Sequence, residues 1–362
     1  MPYSTSRVFK SFLFFLTLLL TSGLSFSQSG IEPGVTLFEE NKLPEAKSFF
    51  ENYLKSNKKD PEANFYLGRI YFDQDDFGKA TDWIGKAAKY DKNNSKYYMW
   101  LGHAYGRRTQ EASRIRQPFL AKDSRKNYEK AIETDPNNVE ARQSAMEFYL
   151  QAPGFLGGGR DKAEAQATAI SDIDEIAGVM AWGRVYTYYD EVDNAMSHYT
   201  SAIEMYPEEM GPYYRLFNFH FNEQDYTSAI EIANKQLSNN DTTAAIYLNL
   251  GNALQRNEQY DEALEAYYTT MELDSTFYNT WYQIGRLSAV SGMHLETGKE
   301  YIENFIAQGD LVNDNTMAWA YFRLGTIYEH MNDTPMAKTQ YENALKKDKK
   351  HEQSKEALAK LR

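Results

Sequence analysis

The chain has 362 residues, 39 Lys plus Arg against 51 Asp plus Glu, a net charge of −12 and no cysteine. The missing thiols exclude a disulfide scaffold, thiolate metal sites and a cysteine nucleophile, and the acidic balance argues against a nucleic-acid partner, which needs a concentrated positive field. A hydrophobic share of 42% and an aromatic share of 15% supply ample apolar surface for a core, which argues against wholesale disorder as well.

The first residues form an object of their own. Arg7 and Lys10 are followed by the apolar run from Phe12 to Leu20 and then by Ser25-Phe26-Ser27-Gln28. Charged, then apolar, then small is the order of a secretory signal peptide. Cleavage after Ser27 is expected, with residues 1–27 as the leader and the mature protein exported to the periplasm or the extracellular space. Left uncleaved, the leader would be the chain's membrane link. Its removal takes away two cations, Arg7 and Lys10, and no acid, so the net charge moves from −12 to −14.

Beyond the leader the sequence repeats itself. Gly183, Tyr186, Ala195, Tyr199, Ala202 and Pro207 lie at offsets 0, 3, 12, 16, 19 and 24. Gly68, Tyr71, Ala80, Ile84 and Ala87 keep the same offsets, as do Gly325, Tyr328, Ala337, Tyr341 and Ala344. Gly183, Phe217, Gly251 and Gly285 follow one another at intervals of 34. Within a unit, Tyr247, Leu250, Gly251 and Leu254 fall on one face of a helix, and Ala195, Tyr199 and Ala202 fall on one face of a second. Small residues at fixed places let the two helices approach, and the rings fill the space beside them. Such a pair has too little core alone and must stack on its neighbours.

This pattern resembles the tetratricopeptide repeat over essentially residues 31–362. The resemblance implies an all-α, right-handed α-solenoid of about nine helix pairs over 31–350, closed by a polar capping helix at 351–362. The anchors at the glycine position are Gly34, Gly68, Gly102, Met146, Gly183, Phe217, Gly251, Gly285 and Gly325. The unit around Phe217 departs from the pattern, with His220 for Tyr and Gln236 for the late Ala, and looser packing or compensation by bulk is expected there.

Three insertions break the period. From Gly102 to Met146 there are ten residues too many, near 107–120; from Met146 to Gly183 three, near 153–160; from Gly285 to Gly325 six, near 308–316. The block from Gly102 to Ala167 resembles exported bacterial proteins of this repeat class. Arg107, Arg108, Arg114 and Arg116 make a basic island there, and Gly157-Gly158-Gly159-Arg160 leads into a helix. Arginines and glycine amides at a helix start are a possible anion site; local pairing with acids and a simple turn are the alternative.

In this repeat class the first helix of each pair lines the concave surface, and helical spacing brings residues one and four after the anchor and three and six before it to that face. The candidate partner contacts are Phe65, Arg69, His103, Glu147 and Arg184 in the first half, and Tyr214, Asn218, Asn252, Tyr282 and Arg286 in the second. Rings beside amides and guanidinium groups suit a peptide or a partner helix. The Lys and Asn clamp for chaperone tails found in some relatives is not matched, because Tyr214 and Leu248 occupy the Lys places.

No catalytic or metal motif emerges. His103, His198, His220, His294, His330 and His351 form no zinc motif, and Asp73 to Gly78 fails as a calcium loop because Phe77 and Ile84 fill ligand places. The glycine run is followed by Arg160-Asp161 and is no phosphate loop. The expectation is a non-catalytic exported scaffold for a protein or peptide, without cofactor or metal. A binding protein for a small anionic or glycan ligand, or a self-association module, is the alternative, and the sequence does not indicate an oligomeric state.

Overall fold

Prolines and short polar caps start many of the helices. Pro33, Pro44, Pro61, Pro118 and Pro335 occupy first-turn positions, where a missing N–H costs nothing. Asp60, Asp76, Asp174, Asp225 and Asp333 each accept a hydrogen bond from a backbone N–H three residues on. In this computed structural model, which describes residues 30–239 and 243–361, the described residues form nineteen α-helices and no strand. The leader 1–27 lies outside the described residues.

The chain divides into two compact units at Pro136 and Asn137, within the span that the repeat alone presents as one array. The first unit holds three pairs: α1 (Glu32–Glu39) with α2 (Leu43–Ser56), α3 (Pro61–Asp73) with α4 (Phe77–Tyr90), and α5 (Ser95–Glu111) with α6 (Gln117–Thr134). The second holds six: α7 (Val139–Gln151) with α8 (Arg160–Ser171), α9 (Glu175–Tyr188) with α10 (Val192–Met205), α11 (Met210–Asn222) with α12 (Tyr226–Ser238), α13 (Ala244–Arg256) with α14 (Tyr260–Leu273), α15 (Asn279–Ser291) with α16 (Leu295–Ile306), and α17 (Asp314–His330) with α18 (Thr334–Lys347). The last helix, α19 (Glu352–Lys360), follows. Every anchor lies on the first helix of its pair.

Most anchor glycines face a large side chain about sixteen residues on. A β-carbon at Gly183 would stand 2.4 Å from the Tyr199 ring, at Gly251 2.6 Å from Tyr267, at Gly325 2.5 Å from Tyr341 and at Gly68 2.5 Å from Ile84. In the third pair the partner of Gly102 is Tyr128, at 2.6 Å, ten places later than the period gives. The added residues are absorbed by longer helices, 17 residues in α5 and 18 in α6, and by the link 112–116. At Gly285 the partner is Ile302, one place late, so one of the six extra residues sits in the turn between α15 and α16 and the rest beyond Ile302.

A second regularity escapes the consensus pattern. Asn41, Asp75, Asp190, Gln224, Glu258, Gly292 and Asn332 all lie seven residues after an anchor, and all have positive φ between 57° and 72°. The residue that follows closes the helix end: N–H of Lys42, Asp76, Glu191, Asp225, Gln259 and Asp333 donates to the carbonyl five residues back at 2.8–2.9 Å. The two pairs without this left-handed residue, those anchored at Gly102 and Met146, are those whose inner turn carries more than one added residue.

The core is correspondingly segmented. In the first unit Phe50, Phe65, Leu67, Ile70 and Ile84 form one cluster. In the second, Tyr199, Tyr213 and Leu216 are succeeded by Tyr267, Ile284 and Leu287, and then by Ile302, Phe305, Leu324 and Ile327. The irregular unit is filled by bulk: Phe217 stacks on Phe221 at 5.6 Å, and the Gln236 amide donates to Met210 Sδ at 3.2 Å. The start of α19 is pinned by His351, 3% exposed, whose ring meets Trp319 at 4.5 Å and whose Nδ1 accepts from the Ser354 N–H at 3.3 Å.

Two glycine substitutions separate packing from helix propensity. Gly85 in α4 has nothing within 4 Å of a β-carbon, so Gly85→Ala should stabilise by up to about 1 kcal/mol. At Gly68 the same change meets Ile84 Cγ1 at 2.5 Å and the Ile84 backbone nitrogen at 2.9 Å. Overpacking outweighs propensity there, for a net loss of about 1–2 kcal/mol. Thermal unfolding of the two variants should move in opposite directions; a shared direction would contradict the close approach.

Candidate functional site

Side chains that helical spacing assigns to one face meet different fates. In the first unit Phe65 is 2% exposed and packs on Tyr66 and Tyr97 at 5.6 and 5.0 Å, so it is core and offers no surface to a partner. The neighbouring first helix covers it, which spacing within one helix does not reveal. The Arg69 guanidinium lies 3.3 Å from the Trp100 ring centroid, and burial lowers its pKa. His103 packs edge-on against Trp100 at 5.2 Å and shares a 3.0 Å hydrogen bond between Nδ1 and the Tyr128 hydroxyl. Burial, aided by the nearby Arg69 charge, brings the His103 pKa down to about 4. It is a neutral, structural imidazole.

In the second unit Glu147 and Arg184 satisfy each other: Arg184 Nε donates to Oε1 at 2.6 Å and Nη2 to Oε2 at 2.9 Å. Tyr214 is 55% exposed, and its carbonyl accepts from the Asn218 amide at 2.8 Å. Asn252 accepts from the Tyr267 hydroxyl at 3.0 Å, which ties it to the buried ring behind Gly251.

The basic insertion does not assemble an anion site. Arg107 pairs with Asp75 at 3.5 Å over the Phe77 ring, and Arg108 donates to Thr81 Oγ1 at 3.1 Å. Arg114 and Arg116 are exposed on the link 112–116. Arg160, in the other unit, is clasped by Glu164 and Glu191, and these carboxylates hold its pKa above the usual guanidinium range. The glycine amides are already spent: N–H of Gly157, Gly158 and Gly159 donates to the carbonyls of Gly154, Pro153 and Tyr149.

Cations do converge on the first helices of the last three pairs. A cavity of about 270 Å³ is lined by Gln255 and Arg256 from α13, Tyr282, Arg286 and Val290 from α15, and Trp319 and Arg323 from α17. Gln255 Oε1 accepts from Arg286 Nε at 3.2 Å, from Arg286 Nη2 at 2.6 Å and from the Tyr267 hydroxyl at 2.9 Å. The anchor contact of one pair thereby orients the arginine of the next. Burial lowers the Arg286 pKa, and the charges of Arg256 and Arg323 lower it further. Among the described residues none of the three arginines has an ion pair.

Of this cavity, spacing placed Gln255, Tyr282, Arg286 and Trp319 on the first-helix face, and Tyr282 and Arg286 were among the candidate contacts. It missed Arg256 and Arg323, which lie five residues after one anchor and two before another. Each stands four residues along its own helix from a position assigned to that face, Asn252 and Trp319, so extending the stripe by one turn would have found them.

Tetratricopeptide-repeat family models match residues 37–102, 243–273 and 320–351. The chain is 23% identical over 314 residues to mouse Superkiller complex protein 3, an alignment covering 84% of this chain and 19% of that protein. The chain thus spans about a fifth of the length of that relative. Among solved structures it is similar to a tetratricopeptide repeat protein from Parabacteroides merdae, with a TM-score of 0.47, 14% identity and coverage of 67% of this chain and 91% of that one. A thermophilic protein of the same repeat class from Thermus thermophilus gives a TM-score of 0.42, 24% identity and coverage of 51% and 94%.

The buried His103 makes stability depend on pH. Its folded pKa of about 4 lies below the ordinary 6.5, so the unfolded chain takes up the proton first. Stability is full above about pH 6.5 and falls by up to about 3 kcal/mol as the pH descends to about 4. His103→Gln keeps a hydrogen-bonding partner for Tyr128 and should flatten that fall in pH-dependent denaturant melts; an unchanged slope would contradict the burial.

Proposed function

The chain is a tetratricopeptide-repeat protein, and on that premise we propose that it is a non-catalytic, exported scaffold holding a protein or peptide partner on the first-helix face of its second unit. The observation that carries the reading is the convergence of three successive first helices, α13, α15 and α17, on one cavity. Buried aromatic and arginine side chains are the residue types that dominate binding energy at protein interfaces. The lining holds no carboxylate, imidazole or hydroxyl nucleophile other than the Tyr282 phenol, which supports holding rather than turnover. Export rests on the charged, apolar and small order of the leader.

Site-specific photocrosslinking tests the face. A photoreactive phenylalanine in place of Tyr282, on α15, should give a defined protein adduct in the native cell. The same group in place of the exposed Thr339, on the second helix α18, should give none. Equal adducts from both positions, or adducts from 339 alone, would reject the first-helix face.

A further inference from the structure

We propose that the cavity between Arg256, Arg286 and Arg323 is a phosphate-monoester site. The inference rests on the reading of the first-helix face as the binding face and adds the chemistry of what is bound. Three guanidinium groups from three successive repeats line one cavity, in a chain whose net charge is −12. No acid lines it. The donors are oriented and only partly spent. Gln255 holds Arg286 by Nε and Nη2, and among the described residues its Nη1 has no hydrogen-bond partner. Arg323 is steered by rings, lying 5.4 Å from the centroid of Trp319 and 5.5 Å from that of Phe322, and its Nε is buried without a partner. Arg256 is exposed at the rim.

Charge and shape select the occupant. A single carboxylate carries one charge and two oxygens, and would leave most of the positive field uncompensated. A phosphate monoester carries a charge of about −1.5 to −2 and three strong acceptor oxygens, enough to engage all three guanidinium groups. The cavity of about 270 Å³ exceeds what the phosphate group fills, which leaves space for the carrier against Trp319, Tyr282 and Val290. A neutral sugar is disfavoured, because the lining has one amide acceptor and Gln255 already uses it on Arg286 and Tyr267.

The shared chemistry belongs to a small phosphate ester or to a phosphorylated side chain, and calorimetry on the full chain separates them. At matched ionic strength inorganic phosphate should bind at one site per chain and acetate should not. Arg256→Gln, at the exposed rim, should weaken phosphate about tenfold, the effect of losing one charge-assisted hydrogen bond. Without phosphate it should leave the melting temperature unchanged or raised, because a like charge has been removed. Arg323→Gln should weaken phosphate in the same way. A short phosphoserine peptide that binds at least tenfold more tightly than inorganic phosphate assigns the site to a phosphorylated side chain, and equal affinity assigns it to a small ester. Acetate or a glutamate peptide matching phosphate, or Arg256→Gln without effect, would overturn the proposal. Phosphate binding without a crosslink from position 282 would sink the partner reading alone, and a crosslink without phosphate binding would sink this one alone.

Discussion

Everything in this architecture depends on a side chain that is absent. At the anchor of seven pairs a hydrogen stands where a β-carbon would collide with a residue of the second helix, most often an aromatic ring. That contact sets how close the two helices come and in what register. The close approach gives the rings their burial: Tyr267 and Tyr341 are fully buried yet polar-tipped, and the tips find partners, as the Tyr267 hydroxyl does on Asn252 and Gln255. Burial of a ring and placement of a surface amide are therefore one event. Through Gln255 the chain of contacts runs on to Arg286 and the cavity.

Much of this was legible in the sequence because its causes are local. Glycine, alanine and aromatic residues at fixed offsets report helix pairing directly, and the nine anchors fall on the first helices of nine pairs, with α19 where a polar tail was expected to close the array. The insertions were legible as arithmetic but not as geometry. Ten extra residues after Gly102 lengthen two helices and displace the ring partner to Tyr128, so the packing rule survives while the spacing fails. The left-handed residue seven places after an anchor was hidden because its identity varies from Asn to Gln to Glu, and only the backbone makes the position uniform.

What the sequence withheld is whatever depends on the neighbouring pair. Phe65 and Tyr214 occupy the same offset, three before an anchor, yet one is 2% and the other 55% exposed. Phe65 is covered by Tyr97 of the next first helix. The same holds for charge. The arginines that looked densest along the chain, from Arg107 to Arg116 and at Arg160, are dispersed, bonded to nearby side chains or left in water. The ones that gather, Arg256, Arg286 and Arg323, lie some thirty residues apart, and stacking unites them. In a repeat array a cluster is built across the period, so local density along the chain misleads.

The central claim is that the hydrogen of an anchor and the ring beyond it are one interaction. A thermodynamic cycle on Gly183 and Tyr199, where the β-carbon would stand 2.4 Å from the ring, measures it. In denaturant melts Gly183→Ala should cost about 1–3 kcal/mol with Tyr199 present and markedly less beside Tyr199→Leu, a coupling of about 1 kcal/mol or more. Strict additivity of the two substitutions would show that ring and glycine do not meet, and the register derived from them would fall.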